Sequence, residues 1–264
     1  MSQPIDLRLD GRVALITGGG SGLGFQYSEA LAHQGASLVL VGRTEASLAN
    51  TTEALPGSHR YVVGDLSTDG IYEDLSEIAG EVDILVNNAG GAIKKTSWLT
   101  QSPEDFRATL EINVVAAARL AQLVAPGMME RGWGRIINVA SVYGMVAVDP
   151  RNSQPGMDSG AYEVAKSGVI GLTRFLATRL ARHGVTVNCV SPGMFPRELS
   201  ESELAEKPWK RPTPGRRERH DNLTPMNRPG GPRDLGSAVI FLASPDSSFV
   251  TGQNIVVDGG WTTW

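Results

Sequence analysis

A glycine-rich stretch near the amino-terminus, VALITGGGSGLG at residues 13–24, narrows the choice of fold more than any other part of the sequence. An apolar, β-branched run precedes the glycines and an amphipathic run follows them, which is the pattern of a strand, a tight turn and a helix. Glycines allow positive φ and close approach of a ligand, and the first helical turn offers N–H groups to an anion. The stretch indicates a pyrophosphate site, with a purely structural turn as the alternative.

The spacing of these glycines departs from the common dinucleotide-binding pattern G-x-G-x-x-G. Gly18, Gly22 and Gly24 instead give G-x-x-x-G-x-G. A glycine-rich turn is weak evidence on its own, so the remainder of the chain has to support the cofactor hypothesis.

Apolar runs of strand length alternate with helical patterns along most of the chain. The later strands are predicted in ASLVLVGR, RYVVGDLS, DILVNNAG, GRIINVAS, VTVNCVSPG and QNIVVDGG. Helices are predicted at 44–54 with a Thr44 cap, in the stretch leading to the fourth strand, in one long segment at 102–132, and at about 161–183 and 234–243. This alternation predicts an α/β protein with a doubly wound parallel sheet of about seven strands, whose burial on both faces explains the continuous apolar runs.

The chain shows no seam between domains, so we predict a single domain over residues 1–264. Residues 195–231 break the strand–helix pattern with many Pro, Gly and charged residues, and we expect them to form a lobe over the substrate. Ligands of such sheets bind beyond the carboxyl ends of the strands. The segments expected to meet there are 18–22, Asp65, 87–90, Ser141 and 192–195.

Composition excludes several classes of protein. With 41% apolar residues, 20% charged residues and a net charge of −4, the chain gives no electrostatic reason to expect a nucleic-acid partner. It lacks a secretory signal, and no run approaches the ~20 apolar residues of a membrane helix. The single cysteine, Cys189, lies in an apolar run and predicts a buried thiol in a reducing, cytoplasmic setting. The four histidines show no ligand spacing, so no metal is expected.

Tyr162 and Lys166 are four residues apart on a predicted helix, so their side chains share one face. A phenol with an ordinary pKa near ~10 needs help to exchange a proton at neutral pH, and a neighbouring ammonium favours the phenolate. The pair is therefore a candidate proton-transfer site. A surface Tyr stacked on a Lys is the alternative.

Taken in order, these motifs resemble the short-chain dehydrogenase/reductase family over essentially the whole chain. The matching pieces are TGGGSGLG from Thr17, Asp65, NNAG from Asn87, Asn113, Ser141, Tyr162 with Lys166, SPG from Ser191 and the terminal VDGG. The resemblance implies a Rossmann-type domain, a nicotinamide cofactor and reversible oxidation of a secondary alcohol.

The resemblance also implies roles for individual residues. Tyr162 would be the general acid/base, and Lys166 would hold the nicotinamide ribose and lower the pKa of Tyr162. Ser141 would hydrogen-bond the substrate oxygen, and Asn113 would anchor a proton-relay water; a structural Asn bonded to neighbouring backbone is the alternative. The cofactor contacts implied are Gly18, Ser21, Gly22, Leu23, Gly24, Arg43, Asp65, Leu66, Asn88, Ala89, Gly90, Tyr162, Lys166, Pro192, Gly193 and Phe195. Asp65 and Asn88 would hold the adenine and the cofactor backbone, unless they only form turns.

The end of the second strand bears on the choice of cofactor. Enzymes that prefer NAD usually place Asp or Glu about 20 residues past the glycines, where it accepts from the ribose 2′-hydroxyl. Here that position is Gly42, and Arg43 follows it. A guanidinium pairs well with a 2′-phosphate, so we predict NADP as the preferred cofactor and NAD as the second choice. A solvated Arg43 is the alternative.

Two departures from the family pattern concern the substrate side. The segment MVAVDPRNSQPGMDS lengthens the distance between Ser141 and Tyr162 and is expected to form part of the substrate mouth. A threonine often found after the Pro-Gly turn is missing from PGMFPRE, so the nicotinamide amide would rely on backbone groups of Met194 and Phe195.

The substrate is less constrained than the reaction. Basic residues of the 195–231 lobe permit a carboxylated substrate, but interleaved acids favour a solvated, mixed-charge flap. The ending VVDGGWTTW resembles gluconate dehydrogenase-type members, while 3-oxoacyl reductases share nearly every other motif. We expect Trp261 and Trp264 at a subunit contact or on the core, in a homo-oligomer that is a dimer or tetramer.

The sequence therefore predicts an NADP-preferring oxidoreductase that interconverts a secondary alcohol and a carbonyl on a sugar acid, polyol or 3-oxoacyl-type substrate. A catalytically silent nicotinamide-binding regulator is the alternative. Such a regulator would not need Ser141, Tyr162, Lys166 and Asn113 together.

Overall fold

The computed structural model describes residues 5–92, 97–149, 160–195 and 224–264. These residues contain one seven-stranded sheet in the order β3-β2-β1-β4-β5-β6-β7, with every pair parallel. The strands are β1 Val13–Thr17, β2 Ser37–Gly42, β3 Arg60–Val63, β4 Ile84–Asn87, β5 Gly134–Val139, β6 Val185–Pro192 and β7 Asn254–Val257. The predicted doubly wound α/β sheet is confirmed, and its order reverses between β1 and β4.

Helices cover both faces of the sheet and give it two apolar cores. They are α1 Gly22–His33, α2 Glu45–Ala54, α3 Gly70–Ala79, α4 Pro103–Leu110, α5 Ala116–Arg131, α6 Gly160–Leu180 and α7 Gly236–Ala243. Helices α3, α5 and α6 contribute to one core and α1, α2 and α7 to the other. Residues of β1 alternate between the two cores, Leu15 in the first and Ala14 and Ile16 in the second, because neighbouring strand residues face opposite ways.

The long helix predicted at 102–132 is confirmed as one continuous helical segment, Pro103–Arg131, but it contains an unpredicted π-helical turn at Glu111–Val115, which carries Asn113. Periodicity does not reveal such a turn, because it adds one residue without changing the apolar character of the segment. Thr44 stands at the N-cap of α2 but makes no side-chain capping bond, whereas Ser102 does cap α4 by accepting from Asp105 N at 3.1 Å.

The segment Pro103–Arg131 is long and apolar enough, by length and composition, to cross a membrane. We expected no such run from the sequence. In the fold, however, Leu120, Val124 and Met128 of this segment are fully buried against the sheet. It is therefore a core helix of the domain.

Parts of two predicted features lie outside the described residues. Of the lobe predicted at 195–231, the structure describes residue 195 and residues 224–231. Residues 150–159 of the long segment between Ser141 and Tyr162 also lie outside.

Asp83 ties the beginnings of the two central strands together. Its carboxylate accepts a hydrogen bond from Val13 N at 3.1 Å, and it lies 3.3 Å from Arg131 Nε and 3.6 Å from an Arg12 nitrogen. The Asp83 side chain is only 9% exposed, so solvent weakens these contacts little. Asp83 thereby fixes the register of β1 and β4, which carry the candidate site at their other ends.

We expect the Asp83→Ala variant to lose about 2–3 kcal/mol of unfolding free energy, because it leaves the Val13 N–H without its acceptor and removes the carboxylate that faces Arg12 and Arg131. Denaturant unfolding followed by circular dichroism measures this loss. Asp74→Ala, at an exposed position of α3, is the matched control and should change stability by less than about 0.5 kcal/mol. Equal stability of the two variants would contradict the anchoring role.

Candidate active site

The glycine turn, residues 18–22, and the beginning of α1 pack closely together at Gly18 and Gly24. Gly18 has φ +64°, and its N–H donates to Val41 O at 2.7 Å. A Cβ on Gly24 would overlap the carbonyl oxygen of Gly18. Glycine at these two positions therefore lets the turn fold directly onto the beginning of α1.

The N-terminus of α1 has the features of an anion site. Ser21 is its exposed N-cap residue, and the Ser21 hydroxyl makes no capping bond. The first turn, which begins at Gly22 and Leu23, contains no acidic residue. Free N–H groups and the helix dipole favour negative charge there. These residues therefore fit the pyrophosphate of a dinucleotide.

Asn88 and Ala89 join the end of β4 to the end of β1. Their N–H groups both donate to Thr17 Oγ1, at 3.0 and 2.9 Å, and Asn88 Nδ2 donates to Thr17 O at 2.8 Å. Asn88 Nδ2 also lies 3.4 Å from Gly18 O. These bonds position the glycine turn relative to β4.

Asn113 holds the next two residues of the same loop. Its Nδ2 donates to Gly91 O at 2.9 Å and to Thr109 O at 2.8 Å, and its Oδ1 accepts from Gly91 N at 3.0 Å. A Cβ on Gly90 would overlap Asn113 Oδ1 and lie 3.5 Å from Lys166 Nζ. The structure thus brings Asn113, Gly90 and Lys166 together. Most of the hydrogen-bonding capacity of Asn113 is used by backbone.

Buried side-chain amides form a hydrogen-bonded chain beneath this loop, which we did not predict from the sequence. Asn87 Nδ2 donates to Asn138 Oδ1 at 2.9 Å, and Asn138 Nδ2 donates to Thr173 Oγ1 at 2.9 Å. The chain links β4, β5 and α6 just below the candidate site. The available signal was an Asn at the end of two neighbouring, otherwise apolar strands, since buried amides need partners.

Ser141, Tyr162 and Lys166 meet at the ends of β5 and α6. Buried Ser141 follows β5 and is hydrogen-bonded to half-buried Tyr162. Lys166, which is 4% exposed, donates from Nζ to Val139 O at 2.8 Å. Its Nζ lies 5.7 Å from the centre of the Tyr162 ring. The three predicted catalytic side chains are therefore neighbours.

The electrostatics of this group differ from the expectation. Burial raises the pKa of Tyr162 above its ordinary value, and the hydrogen bond with Ser141 acts in the opposite direction. Burial lowers the pKa of Lys166 to about 8. We expected the Lys166 ammonium to lower the pKa of Tyr162. Instead, Nζ points to the Val139 carbonyl and the desolvation of the phenol dominates.

Arg43 and Asp65 lie beyond the ends of β2 and β3. The Arg43 side chain is 78% exposed, and one of its nitrogens is 3.9 Å from Asp65 Oδ2. Asp65 Oδ1 accepts from Ser67 N and Oγ at 2.9 and 2.7 Å, and these bonds are the main reason that its pKa is lowered. Asp65 therefore forms a turn. Buried Leu66 follows it, and its carbonyl accepts from Tyr72 Oη at 2.8 Å.

The predicted residues after β6 complete the same edge of the sheet. Pro192 is the last residue of β6, and Gly193 N donates to Val257 O at 2.9 Å. Phe195 packs against Gly230, where a Cβ would overlap its ring.

An open cleft adjoins Ser141. It is lined by Ser141, Val142, Tyr143, Gly193, Met194, Thr224 and Trp261. We expected Trp261 on the core or at a subunit contact, but the structure places it in this cleft. Trp264, for which we expected the same kind of position, is 78% exposed.

The described residues contain no group of three His, Cys, Asp or Glu side chains that could hold a metal. Cys189 is fully buried, and burial raises the pKa of its thiol to about 11. At neutral pH this thiol is a packed apolar group and not a nucleophile.

The buried Lys166 predicts a pH-dependent stability. Its pKa is about 8 in the folded protein against an ordinary 10.5, so between these pH values the unfolded chain holds more protons and stability rises with pH. The cost of the buried ammonium is fully present below pH 8. Lys166→Met removes this cost, so its unfolding free energy relative to the wild type should fall by about 3 kcal/mol as pH rises across that range.

Denaturant unfolding at closely spaced pH values measures the difference. Val164→Met, at a half-exposed position of the same helix, is the matched control and should run parallel to the wild type. A Lys166→Met difference that does not change with pH would contradict the burial of a charged Lys166.

Comparison with known proteins is consistent along the whole chain. A family model described as enoyl-(acyl carrier protein) reductase matches residues 18–262. The 3-oxoacyl-(acyl-carrier-protein) reductase of Vibrio cholerae is 33% identical over 258 residues, 96% of this chain and 98% of its own. The 2,3-dihydroxy-2,3-dihydro-p-cumate dehydrogenase of Pseudomonas putida is 36% identical over 267 residues, 97% of this chain and 96% of its own.

A solved structure shows the same fold. It is a Beutenbergia cavernae protein assigned as an NAD(P)-dependent gluconate 5-dehydrogenase, with bound NADP. It is 32% identical, the match covers 98% of this chain and 100% of that one, and the TM-score is 0.83. The chain therefore belongs to the short-chain dehydrogenase/reductase family of oxidoreductases, which act on CH–OH groups.

Proposed function

We propose that this protein is an NADP-preferring carbonyl reductase or alcohol dehydrogenase. It interconverts a secondary alcohol and a carbonyl in a small sugar acid, polyol or 3-oxoacyl-type molecule. The observation that carries the proposal is the meeting of Ser141, Tyr162 and Lys166 beside an open cleft. The names of the Vibrio cholerae and Beutenbergia cavernae relatives support the 3-oxoacyl and sugar-acid classes.

Tyr162 is the proton donor and acceptor, and Ser141 binds the substrate oxygen. Oxidation or reduction at that carbon requires the oxygen to lose or gain a proton in step. A Tyr162 pKa raised by burial keeps the phenol protonated at neutral pH, as reduction of a carbonyl needs. The Ser141 hydroxyl donates to the oxygen as negative charge develops. When bound, the nicotinamide supplies or accepts the hydride.

Lys166 and Asn113 organise the proton-transfer side. Lys166 uses one N–H on Val139 O, which leaves two for the cofactor ribose and for Tyr162. Asn113 fixes the Gly91 backbone through two hydrogen bonds. Its Oδ1 keeps a second lone pair, which we assign to a proton-relay water.

The remaining predicted residues hold the dinucleotide. Gly18, Ser21, Gly22, Leu23 and Gly24 form the pyrophosphate cradle. Asp65 and Leu66 border the adenine, Asn88, Ala89 and Gly90 border the ribose side, and Pro192, Gly193 and Phe195 border the nicotinamide. The shared position of these groups at one edge of the sheet supports this arrangement.

The protein works as a single domain over residues 1–264 with a substrate-covering lobe at 195–231, and it assembles as a homo-oligomer, a dimer or tetramer. Exposed aromatic rings at Phe249 and Trp264 support assembly. A cytoplasmic setting suits its one buried cysteine.

Tyr162→Phe tests the enzymatic proposal. Without the phenolic oxygen, turnover should fall by about 10³-fold or more, while NADPH binding followed by its fluorescence stays within about twofold of the wild type. Tyr27→Phe is the matched control, because the buried Tyr27 hydroxyl has no hydrogen-bond partner among the described residues. Unchanged turnover in Tyr162→Phe would end the assignment. A wild type that binds NADPH without turning over any alcohol or ketone would favour the regulator.

Arg43 tests the cofactor preference. The wild type should be more efficient with NADPH than with NADH. Arg43 offers an exposed guanidinium to the 2′-phosphate, whereas Gly42 has no carboxylate that could bind a 2′-hydroxyl. Arg43→Ala should raise the KM for NADPH about 10- to 100-fold and leave that for NADH nearly unchanged. Arg60→Ala, at an exposed arginine of β3, is the control. Equal or better efficiency with NADH in the wild type would refute the preference.

A further inference from the structure

The cleft beside Ser141 has walls that are mainly apolar. The cleft is open to solvent. Tyr143 and Trp261 supply two aromatic rings, and Val142 and Met194 add aliphatic surface. Since Ser141 lies in the same lining, whatever occupies the cleft adjoins the reacting oxygen.

Trp261 is held in place by the turn that carries it. Asp258 Oδ1 accepts from Gly260 N at 2.9 Å, and Asp258 Oδ2 accepts from Thr262 N at 2.8 Å and Thr262 Oγ1 at 2.7 Å. These three bonds close the turn around Trp261. A ring fixed in this way can pack against a ligand at little further entropic cost.

Tyr143 connects Trp261 to the catalytic hydroxyl. The Tyr143 ring meets the Trp261 ring edge to face, with centres 5.5 Å apart and planes at 87°. The Tyr143 N–H donates to Ser141 Oγ at 3.2 Å. The two rings are therefore a rigid continuation of the Ser141 site, and edge-to-face packing stabilises their arrangement.

Charge near this cleft is unfavourable to an anion. None of the described residues that line it carries an ionised side chain. A second cleft adjoins this one, and Arg228 is the one cation among the described residues that line it. Arg228 Nη2 donates to Asp234 Oδ1 at 3.2 Å, so this cation is paired. Asp258 adds a carboxylate to that lining. Among the described residues that line these two clefts, no unpaired cation would compensate a carboxylate in the aromatic cleft for the water it loses.

We propose that Tyr143 and Trp261 are substrate-binding residues, and that their cleft selects an uncharged, carbon-rich group next to the reacting carbon, such as an acyl chain or a ring. This inference rests on the proposed function and narrows its substrate class. It ranks a neutral 3-oxoacyl-type substrate above a sugar acid. The hydrocarbon surface of this substrate group packs against the Trp261 ring.

The first test compares ketones that carry either a carboxylate or its neutral ester. Ethyl 3-oxobutanoate is paired with 3-oxobutanoate, and methyl 4-acetylbenzoate with 4-acetylbenzoate, each reduced with NADPH. The ester of each pair should show a kcat/KM at least about tenfold higher than its acid. Acids that match or exceed their esters would overturn the proposal.

The second test uses variants of the wall. Trp261→Ala should raise the KM for the esters about tenfold, leave kcat within about threefold and shrink the preference for ester over acid. Trp261→Phe, which keeps an aromatic ring, should retain most of the affinity. Trp264→Ala, which changes an exposed ring three residues further on, is the control. Trp261→Ala kinetics equal to those of Trp264→Ala would also overturn the proposal.

These outcomes separate the cleft assignment from the proposed function. Loss of ester turnover in Tyr162→Phe together with wild-type kinetics in Trp261→Ala would refute only the cleft assignment. Wild-type turnover in Tyr162→Phe would refute the proposed function, whatever Trp261→Ala does. Thermal unfolding of each variant, and NADPH affinity by fluorescence, must match the wild type, so that a KM change in Trp261→Ala reflects the substrate.

Discussion

The hydrogen bonds between Thr17 and the loop after β4 are the interaction on which the rest of the site depends. At this point the order of the sheet reverses, so the loops after β1 and β4 diverge to opposite faces and leave a crevice. Thr17 Oγ1 accepts from the N–H groups of both Asn88 and Ala89, and Asn88 returns a bond to Thr17 O. These hydrogen bonds therefore set the distance between the end of β1 and the loop after β4 at the crevice.

The proposed proton-transfer side is built from the same loop. Residues Gly90 and Gly91, which follow Ala89, are held by Asn113, and Gly90 lies against Lys166. The π-helical turn makes this contact available, because it directs Asn113 from the middle of a core helix toward the loop. Hydrogen bonds therefore connect Thr17 to the loop that Asn113 holds, and Gly90 of that loop lies next to Lys166. A shift of the loop after β4 would therefore change the positions of both the glycine turn and the groups next to Lys166.

Lys166 shows the energetic cost of this arrangement. A nearly fully buried ammonium with one carbonyl partner is destabilising at neutral pH, and its lowered pKa expresses that cost. A buried ionisable group with a perturbed pKa is typical of functional positions.

The sequence was sufficient for the sheet and for most of the site, for identifiable physical reasons. Continuous apolar runs report burial on both faces, and the carboxyl ends of parallel strands must meet at one edge. Spacing alone placed Tyr162 and Lys166 on one face of α6. These are local or topological properties, and they do not depend on how particular side chains pack.

What the sequence could not supply depends on contacts between distant segments. The π-helical turn at Glu111–Val115 forms where Asn113 finds Gly91, which lies 22 residues earlier. The pKa of Tyr162 follows from desolvation, which i to i+4 spacing does not report. Trp261 enters the cleft because Asp258 closes its turn and Tyr143 faces it, and neither contact leaves a periodic pattern.

The proposed cofactor cradle and the aromatic cleft are consequently formed by different kinds of groups. The cradle at the glycine turn consists of backbone groups whose close packing admits only glycine at Gly18 and Gly24, so substitutions there disturb the fold itself. The aromatic cleft consists of side chains on the 3-10 turns at Val142–Gly144 and Trp261–Thr263. Since the sheet does not depend on those rings, Tyr143 and Trp261 can change with the substrate while the hydride-transfer apparatus stays constant.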